Sequence, residues 1–342
     1  MTLLGQRFTR LSDLPHLPLA NATRVHRLGV SDDVGGELWV KRDDETSPTY
    51  GGNKVRKLEF LLGEARRKRC ESLLTTGAFG SHHVLATSLF GARWGFEVHA
   101  VLVPQPWTEH VRENLRCTLG AGTEVHAARA WPTAAALGAK VYGQLQLEGR
   151  RPFRIPHGGS SVVGTLGEVD AGLELAEQIE EGALPTPRTI YLALGSGGTA
   201  AGLAVGLAAA GLTTEVRAVR VTPRVVSSLM LVRRLIDGVV RFLREFDPGF
   251  PDVARGAAKL LTIDDGHRGA GYGAPDASAL EALERASMDG LELDTTYTAK
   301  AYDAFLRAGT KDGPRLFWNT LSSADLSARL AEAPHLDERF AR

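Results

Sequence analysis

Short apolar runs typical of β-strands alternate along the chain with longer amphipathic runs typical of α-helices. In the first half, the pattern predicts strands at 37–41, 72–76 and 97–103 and helices at 54–69, 83–94 and 110–119. In the second half it predicts strands at 189–194 and 215–221 and a helix at 200–210. This alternation predicts βαβ units and therefore an α/β fold with mostly parallel sheets.

Two predicted strands, TIYLAL (189–194) and VHAVLVP (98–104), are apolar along almost their whole length. A strand has this composition when helices cover both faces of its sheet. Proline and glycine cluster at 104–107 and 150–156, and we expect crossings between two lobes there. The prediction is two lobes, each an open, mostly parallel sheet flanked by helices: a smaller lobe at 55–155 and a larger lobe of 1–54 plus 156–342.

Composition and charge limit the partners. The 40 Lys and Arg residues balance 40 Asp and Glu residues, so no net field attracts nucleic acid or an anionic membrane. The most apolar stretch, 197–212, is shorter than the ~20 residues that a membrane span needs, and 1–14 lacks the apolar run of a secretory signal. We therefore predict a cytoplasmic protein that binds neither nucleic acid nor membrane.

The segment YGGNKVRKL (50–58) places a lysine directly after a flexible glycine pair. Lys54 falls in the first turn of a predicted helix, where the positive end of the helix dipole lowers the pKa of an amine. A lowered pKa favours the neutral, nucleophilic form of lysine. Taken alone, the segment also fits a solvent-exposed basic turn.

The segment LGSGGT (194–199) joins a buried strand to a helix rich in small residues. Free amides at a helix start bind anions such as phosphate. The spacing matches neither a P-loop nor a complete dinucleotide fingerprint, which disfavours an NTPase or a nicotinamide-dependent oxidoreductase. A tight turn without a ligand remains open, but a reactive lysine together with an anion loop fits a phosphorylated aldehyde cofactor.

Several sequence blocks then carry a family resemblance. They are, in order, GGNKVRKLEFLL, TTGAFGSHHVLAT, IPHGGSSVVGTLGEVDAGLELAEQI, LGSGGTAAGL, GAGYGAP and DTTYTAKAYDAFL. Over roughly 17–320 the chain resembles D-cysteine desulfhydrases and 1-aminocyclopropane-1-carboxylate (ACC) deaminases. The resemblance implies the cofactor pyridoxal 5'-phosphate (PLP), a fold type II PLP enzyme related to the tryptophan synthase β group, a cofactor-binding larger lobe and a homodimer.

The resemblance also implies three sets of site residues, in which Lys54 is the Schiff-base lysine. The catalytic set is Lys54, Ser81, Tyr272 and Tyr297. The cofactor-binding set is Lys54, Asn53, His82, Gly195, Ser196, Gly197, Gly198, Thr199 and Thr320, with Thr298 as an alternative to Thr320. The substrate-binding set is Ser81, His82, His83, Tyr272 and Tyr297.

Some of these residues have simpler interpretations. Ser81 fits the N-cap of a helix that begins at His82, and both tyrosines fit half-buried core positions. The adjacent histidines His82 and His83 point about 100 degrees apart on a helix, and no further ligand stands at metal-binding spacing. We therefore predict no metal site.

The chain departs from its relatives at several positions. His82 stands where they have asparagine, and further changes fall at 79–80, 158–161, 264–269 and 321–323. We interpret these changes as surrounding one pocket, in which the substrate has changed while imine chemistry is kept.

The predicted activity is β-elimination and deamination of a small amino acid such as D-cysteine, which yields a 2-oxo acid, ammonia and a thiol. ACC deaminase activity is an alternative, although Thr298 replaces the glutamate of the deaminases. β-Replacement, racemisation and cofactor binding without catalysis also remain open.

Overall fold

The computed structural model describes residues 2–29, 36–268, 276–308, 313–336 and 340. Its strands are β1 (Val25–Arg27), β2 (Leu38–Lys41), β3 (Ser72–Ala78), β4 (Glu97–Val103), β5 (Glu124–Ala127), β6 (Pro152–Arg154), β7 (Thr189–Leu194), β8 (Glu215–Arg220), β9 (Leu261–Asp264) and β10 (Arg315–Trp318). Its helices are α1 (Leu3–Arg7), α2 (Asn53–Arg67), α3 (His82–Arg93), α4 (Glu109–Gly120), α5 (Trp131–Leu147), α6 (Val162–Glu180), α7 (Gly198–Ala209), α8 (Leu229–Phe246), α9 (Ala254–Leu260), α10 (Ala277–Met288), α11 (Thr298–Arg307) and α12 (Ser327–Glu332).

The described strands form two sheets. One is six-stranded in the order β1-β2-β10-β7-β8-β9, and the other is four-stranded in the order β5-β4-β3-β6. Neighbouring strands pair in parallel, except that β1 and β2 are antiparallel. The predicted α/β fold with two open, mostly parallel sheets flanked by helices is confirmed.

Strand β7 shows why its sequence is apolar throughout. Ile190 and Leu192 pack in one core with Leu203 of α7, whereas Tyr191 packs in another core with Phe305 of α11. Helices thus cover both faces of the strand, and alternation of apolar and polar residues is lost.

One predicted crossing between lobes is wrong. The segment 104–107 connects β4 to α4, and the chain then continues into β5, which pairs with β4 in the same four-stranded sheet. The proline there ends a strand rather than a lobe. The chain passes to the six-stranded sheet only after β6, and the lobe limits at 55 and 155 stay predictions.

The small residues of α7 allow it to approach α6 closely. A Cβ atom on Gly206 would lie 2.4 Å from the carbonyl oxygen of Val169, and one on Gly202 would lie 2.3 Å from Cβ of Glu168. The apolar stretch at 197–212 therefore includes a buried core helix. None of the described helices combines the length and apolarity needed to cross a membrane.

Helix α2 joins the two halves of the molecule. Its residues Val55, Leu58 and Leu62 pack with Leu73 of β3 in the core beside the four-stranded sheet. Its opposite side packs against α6, where a Cβ on Gly167 would lie 1.9 Å from the carbonyl oxygen of Arg56. The start of α2 is consequently held from both sides.

Candidate active site

A cavity of about 1670 Å³ receives lining residues from both sheets. Thr76 and Ala78 come from the carboxyl end of β3, and Ala193 and Leu194 come from that of β7. Open α/β sheets bind their ligands at this edge. The predicted site residues that line the cavity are Asn53, Lys54, Ser81, His82, His83, Gly195, Ser196, Gly197, Thr199, Tyr297 and Thr320. Tyr272 lies outside the described residues.

The turn that precedes Lys54 requires its glycine pair. A Cβ on Gly51 would lie 1.8 Å from the carbonyl oxygen of Asp44. Gly52 has a φ of 85°, and its added Cβ would lie 2.7 Å from the carbonyl oxygen of Thr320. Gly52 is the N-cap of α2. The predicted placement of Lys54 in the first helical turn is therefore confirmed.

A chain of hydrogen bonds links Lys54 to the glycine loop at 195–199. Lys54 Nζ donates to Asn53 Oδ1 at 2.8 Å, and Asn53 Nδ2 donates to Thr199 Oγ1 at 2.8 Å. Thr199 Oγ1 donates in turn to Glu168 Oε1 at 3.0 Å. Asn53 thus positions the lysine amine relative to the loop, although the two segments are far apart in sequence.

The surroundings of Lys54 lower its pKa to about 7. Burial is the largest cause, and the positive charge of Lys57 adds to it, while Glu168 and Asp294 act in the opposite direction. The sequence indicated a lowered pKa through the helix dipole, but desolvation and a second lysine are the causes found here. A substantial fraction of the amine is neutral near pH 7.

The loop at 195–199 turns from β7 into α7. Gly197, with a φ of 89°, is the N-cap of α7, whose first amides have no partner within the helix. Ser160 supports the loop, because its Oγ accepts from the amide of Gly198 at 3.1 Å and lies 2.7 Å from Ser196 Oγ. Gly198 is not among the residues that line the cavity.

Buried Lys57 lies beside this loop. Its Nζ donates to Ser160 Oγ and to the carbonyl oxygen of Gly158, both at 3.3 Å. Burial lowers its pKa, and Glu168 opposes that shift. The pKa of Glu168 is raised to about 7, chiefly by burial. An ammonium group and the first amides of α7 therefore lie at the same end of the cavity, a donor set suited to a phosphate.

Ser81 and His83 lie at the start of α3. Helix α3 begins at His82, and Ser81 caps it by accepting from the amide of Val84 at 3.3 Å. His83 is buried, and its Nε2 lies 3.0 Å from Thr75 Oγ1. Burial lowers the pKa of His83 well below its usual value, which favours the neutral imidazole.

His82 already has protein partners at both ring nitrogens. Nδ1 lies 2.6 Å from the hydroxyl of Tyr50, and Nε2 lies 2.9 Å from Nε2 of His110. His110 Nε2 is also 3.1 Å from Asn114 Nδ2. Burial lowers the pKa of His82. The imidazole of His82 is thus part of a chain from buried Tyr50 to exposed His110.

Asp294 holds Tyr297 at the cavity wall. Its Oδ1 accepts from the amides of Thr296 and Tyr297 at 2.8 and 2.7 Å. A Cβ on Gly195 would lie 3.3 Å from Cε1 of Tyr297, which places the tyrosine ring beside the glycine loop. Thr298 does not line the cavity, and its hydroxyl donates to Asp294 Oδ2 at 3.0 Å. The structure therefore gives no support to Thr298 as the alternative to Thr320.

Thr320 and most of the altered segments contribute to the cavity. Thr320 also accepts from the amide of Asn53 at 3.3 Å through its carbonyl oxygen. Of the altered segments, 79–80, 158–161 and 321–323 each supply lining residues. The described residues of the remaining altered segment, 264–268, supply no lining residue. The expectation that all the changes surround one pocket is wrong for these five residues.

Sequence reasoning missed several residues of the site. Tyr50, Lys57, His110 and Asp294 line the cavity, and Ser160 contacts Lys57 without lining it. The spacing of Lys57 three residues after Lys54 was a usable signal, because such residues share a helix face. The Asp three residues before Tyr297 was another, since Asp accepts from nearby amides at helix starts. The contacts of Tyr50 and His110 are non-local and carry no sequence signal.

Comparisons with known proteins agree with this geometry. A family model described as "Pyridoxal-phosphate dependent enzyme" matches residues 17–316. Nocardicin C-9' epimerase of Nocardia uniformis subsp. tsuyamanensis is 38% identical over 334 residues, covering 94% of this chain and 97% of the relative. D-cysteine desulfhydrase of Klebsiella pneumoniae subsp. pneumoniae is 33% identical over 338 residues, covering 95% and 98%. A solved structure described as an ACC deaminase homologue is 28% identical with a TM-score of 0.78, covering 95% and 98%.

Proposed function

We propose that this chain, which belongs to the pyridoxal-phosphate dependent enzyme family, removes the Cα proton of an amino acid and then eliminates a β-leaving group. It is a PLP-dependent enzyme of the group that contains ACC deaminases and D-cysteine desulfhydrases. The observation that carries the proposal is the hydrogen-bonded link from Lys54 through Asn53 to Thr199 within one cavity.

The residues of the cavity fit PLP at both of its ends. Lys54, whose pKa is lowered to about 7, would hold the aldehyde end through its amine. The amides at 195–199, Ser160 and buried Lys57 would hold the phosphate. The chemistry that the cofactor supplies when bound is the withdrawal of electrons from the Cα atom of an amino acid.

The remaining roles follow from the positions of the side chains. The freed amine of Lys54 would accept the Cα proton. Amides at the start of α3, near Ser81, would bind the substrate carboxylate, and Tyr297 would donate or accept a proton on the other side. Thr320 would lie near the pyridine nitrogen, where a neutral hydroxyl favours elimination over transamination. Tyr272 keeps the role that the family resemblance implies.

D-cysteine is the substrate that we propose to test first. Together with water it would yield pyruvate, hydrogen sulfide and ammonia. The PLP-loaded chain is mixed with D-cysteine, L-cysteine and ACC, and sulfide, pyruvate and 2-oxobutyrate are measured. Sulfide and pyruvate in equal amounts from D-cysteine are expected. If none of these products forms while amino acids still change the cofactor's visible absorbance, elimination from these substrates is ruled out and the next candidate is tested.

A second candidate is epimerisation of a larger amino acid. The cavity of about 1670 Å³ exceeds the ~300–1,000 Å³ of ordinary ligand pockets. A substrate as small as cysteine does not require a cavity of this volume. The 38% identical relative named an epimerase supports this candidate. Epimerisation predicts deuterium at Cα and inverted amino acid in heavy water without release of ammonia, whereas elimination predicts 2-oxo acid.

The homodimer and the cytoplasmic location expected from the sequence are part of this proposal. The mass of the PLP-loaded chain in solution tests the first. We propose a small amino acid as the substrate that binds in the cavity.

A further inference from the structure

Three potential metal ligands lie together in the four-stranded sheet, outside the cavity lining. They are His99 on β4 and Glu124 and His126 on β5. The sequence predicted no metal site, because only the adjacent histidines His82 and His83 suggested one and their side chains point apart. This cluster is separate from both of those residues and does not depend on the proposed reaction.

The parallel register of β4 and β5 brings the three side chains to one face. His99 lies opposite Glu124, and Val101 lies opposite His126. Since side chains alternate along a strand, residues two apart point the same way. Glu124 and His126 therefore share the face from which His99 projects.

The distances within the cluster suit a bound metal ion. One ligand atom from each of the three residues lies within 4.8 Å of the others. His99 Nδ1 lies 3.3 Å from His126 Nε2 and 3.4 Å from Glu124 Oε2, and the other carboxylate oxygen, Glu124 Oε1, lies 3.6 Å from His126 Nε2. Ligand atoms about 2.0–2.2 Å from a zinc ion at tetrahedral angles lie about 3.3–3.6 Å from one another. We propose that His99, Glu124 and His126 form a binding site for a divalent transition-metal ion such as Zn²⁺.

The second nitrogen of His99 supports this assignment. His99 is only 3% exposed, and its buried Nε2 has no hydrogen-bond partner. A single hydrogen bond between the imidazoles leaves Nε2 unsatisfied whichever histidine donates. A metal at Nδ1 places the proton on Nε2, and Glu97 Oε1 stands 3.6 Å away to accept it after a small shift. Metal-bound histidines commonly have such a carboxylate partner.

The charges near the cluster suit a cation. Glu124 supplies a carboxylate that is largely exposed, and Glu97 is paired with Arg150. Lone pairs of neutral imidazole together with a carboxylate are suitable ligands for zinc.

The ion would bind β5 to β4 at the edge of the sheet. Strand β5 is the terminal strand in the order β5-β4-β3-β6 and has four residues. Two of its residues would share the ion with a buried residue of the neighbouring strand. A ligand that binds only the folded state raises its stability, and exposed Glu124 leaves the fourth position open to water.

The test measures Zn²⁺ binding to the PLP-loaded full-length chain by calorimetric titration after metal removal. The variants are Glu124→Gln and His126→Gln, and the matched control is His335→Gln, which changes an exposed histidine outside the cluster. We expect about one zinc ion per chain at this site and a loss of affinity of more than about tenfold in each cluster variant. The control is expected to bind zinc like the unchanged chain.

Thermal unfolding gives an independent measurement. Zinc at about a hundredfold excess over its Kd should raise the Tm of the unchanged chain and the control by a few degrees, but not that of either cluster variant. Because Glu124 is exposed, Glu124→Gln should fold normally. The proposal is overturned if the unchanged chain binds no zinc, or if both cluster variants bind zinc and gain Tm as it does.

Discussion

Adjacent residues of α2, Arg56 and Lys57, bury positive charges in two different regions. Arg56 donates to Asp43 Oδ1 at 2.6 Å and to Glu174 Oε2 at 2.9 Å, and Glu174 also pairs with Lys41. Lys57 instead faces neutral oxygens next to the glycine loop. In the first region, the buried positive charge is paired with carboxylates of the protein. In the second region, the charge of Lys57 has only neutral hydrogen-bond partners and lies at the cavity.

Two glutamates on α6 show the same difference. Glu174 lies among cations that overcome its burial and lower its pKa to about 2. Glu168 accepts from a threonine, and burial raises its pKa to about 7. Similar burial thus gives opposite pKa shifts because the numbers of nearby partners differ.

This comparison separates structural from functional burial of charge. A paired buried ion is costly to break because its partner is left unsatisfied. A buried ion with few partners costs stability, and such groups cluster at functional sites. Substitutions in the two regions should therefore differ in whether they change stability or ligand binding.

Removing the amine of Lys54 should have the largest effect. Lys54→Ala should reduce the turnover of any substrate by about a thousandfold or more, because the amine serves as both attachment point and base. The visible absorbance of the lysine imine should also disappear after PLP is added. Absorbance spectra and product assays measure both.

The control for this variant is Lys140→Ala, which removes an exposed lysine on α5. It should keep activity and absorbance. A Lys54→Ala chain that still shows the imine spectrum would refute the assignment of Lys54.

Breaking the paired region should lower stability more than any other substitution considered. Glu174→Gln should reduce the free energy of unfolding by about 3–5 kcal/mol at pH 7, because Arg56 and Lys41 lose their shared partner. The folded pKa of Glu174 is depressed to about 2, so its contribution to the free energy of unfolding is fully present above pH 4.5 and is lost as the pH falls toward about 2. Urea unfolding at several pH values should show the difference between the two chains narrowing over that range.

Replacing Lys57 should give a different outcome from Glu174→Gln. Lys57→Met removes a buried charge with few partners, so the cofactor-free chain should unfold with an unchanged or slightly higher free energy. The Kd for PLP should rise about tenfold, since a charge-assisted hydrogen bond to phosphate is lost. Absorbance titration with PLP and urea unfolding test this. A stability loss as large as that of Glu174→Gln would remove the distinction between the regions.

The sequence predicted the elements of the fold closely because local periodicity determines them. The apolar runs of β4 and β7 have a direct structural cause, since helices cover both faces of each strand. The glycines before Lys54 are required by close backbone contacts. The wrong crossing at 104–107 arose because proline marks the end of a strand but not the sheet in which the next strand pairs.

The polar contacts of the site were less predictable. Cofactor binding by Asn53 and His82 stays a prediction, but their protein partners were not expected. The side chain of Asn53 joins Lys54 to Thr199, far away in sequence. The ring nitrogens of His82 lie against Tyr50 and His110. Such pairings depend on how distant segments pack in three dimensions, and the spacing of residues along the sequence does not predict them.

Replacing Glu168 should cause the smallest loss of stability and tests how the cavity sets the pKa of Lys54. Because burial raises the folded pKa of Glu168 to about 7, its ionisation in the folded state is unfavourable, and Glu168→Gln, which keeps the side chain neutral, should leave the unfolding free energy at pH 7 unchanged or raise it. Between pH 4.5 and about 7 the folded carboxyl keeps its proton while the unfolded one loses it, so the unchanged chain should lose stability relative to the variant as pH rises.

Glu168 also raises the pKa of Lys54, which is about 7 in its presence. The pH midpoint for the rate at which PLP absorbance develops should therefore lie near 7 in the unchanged chain and lower in the variant. A midpoint that rises instead would mean that Glu168 acts on Lys54 other than through its charge.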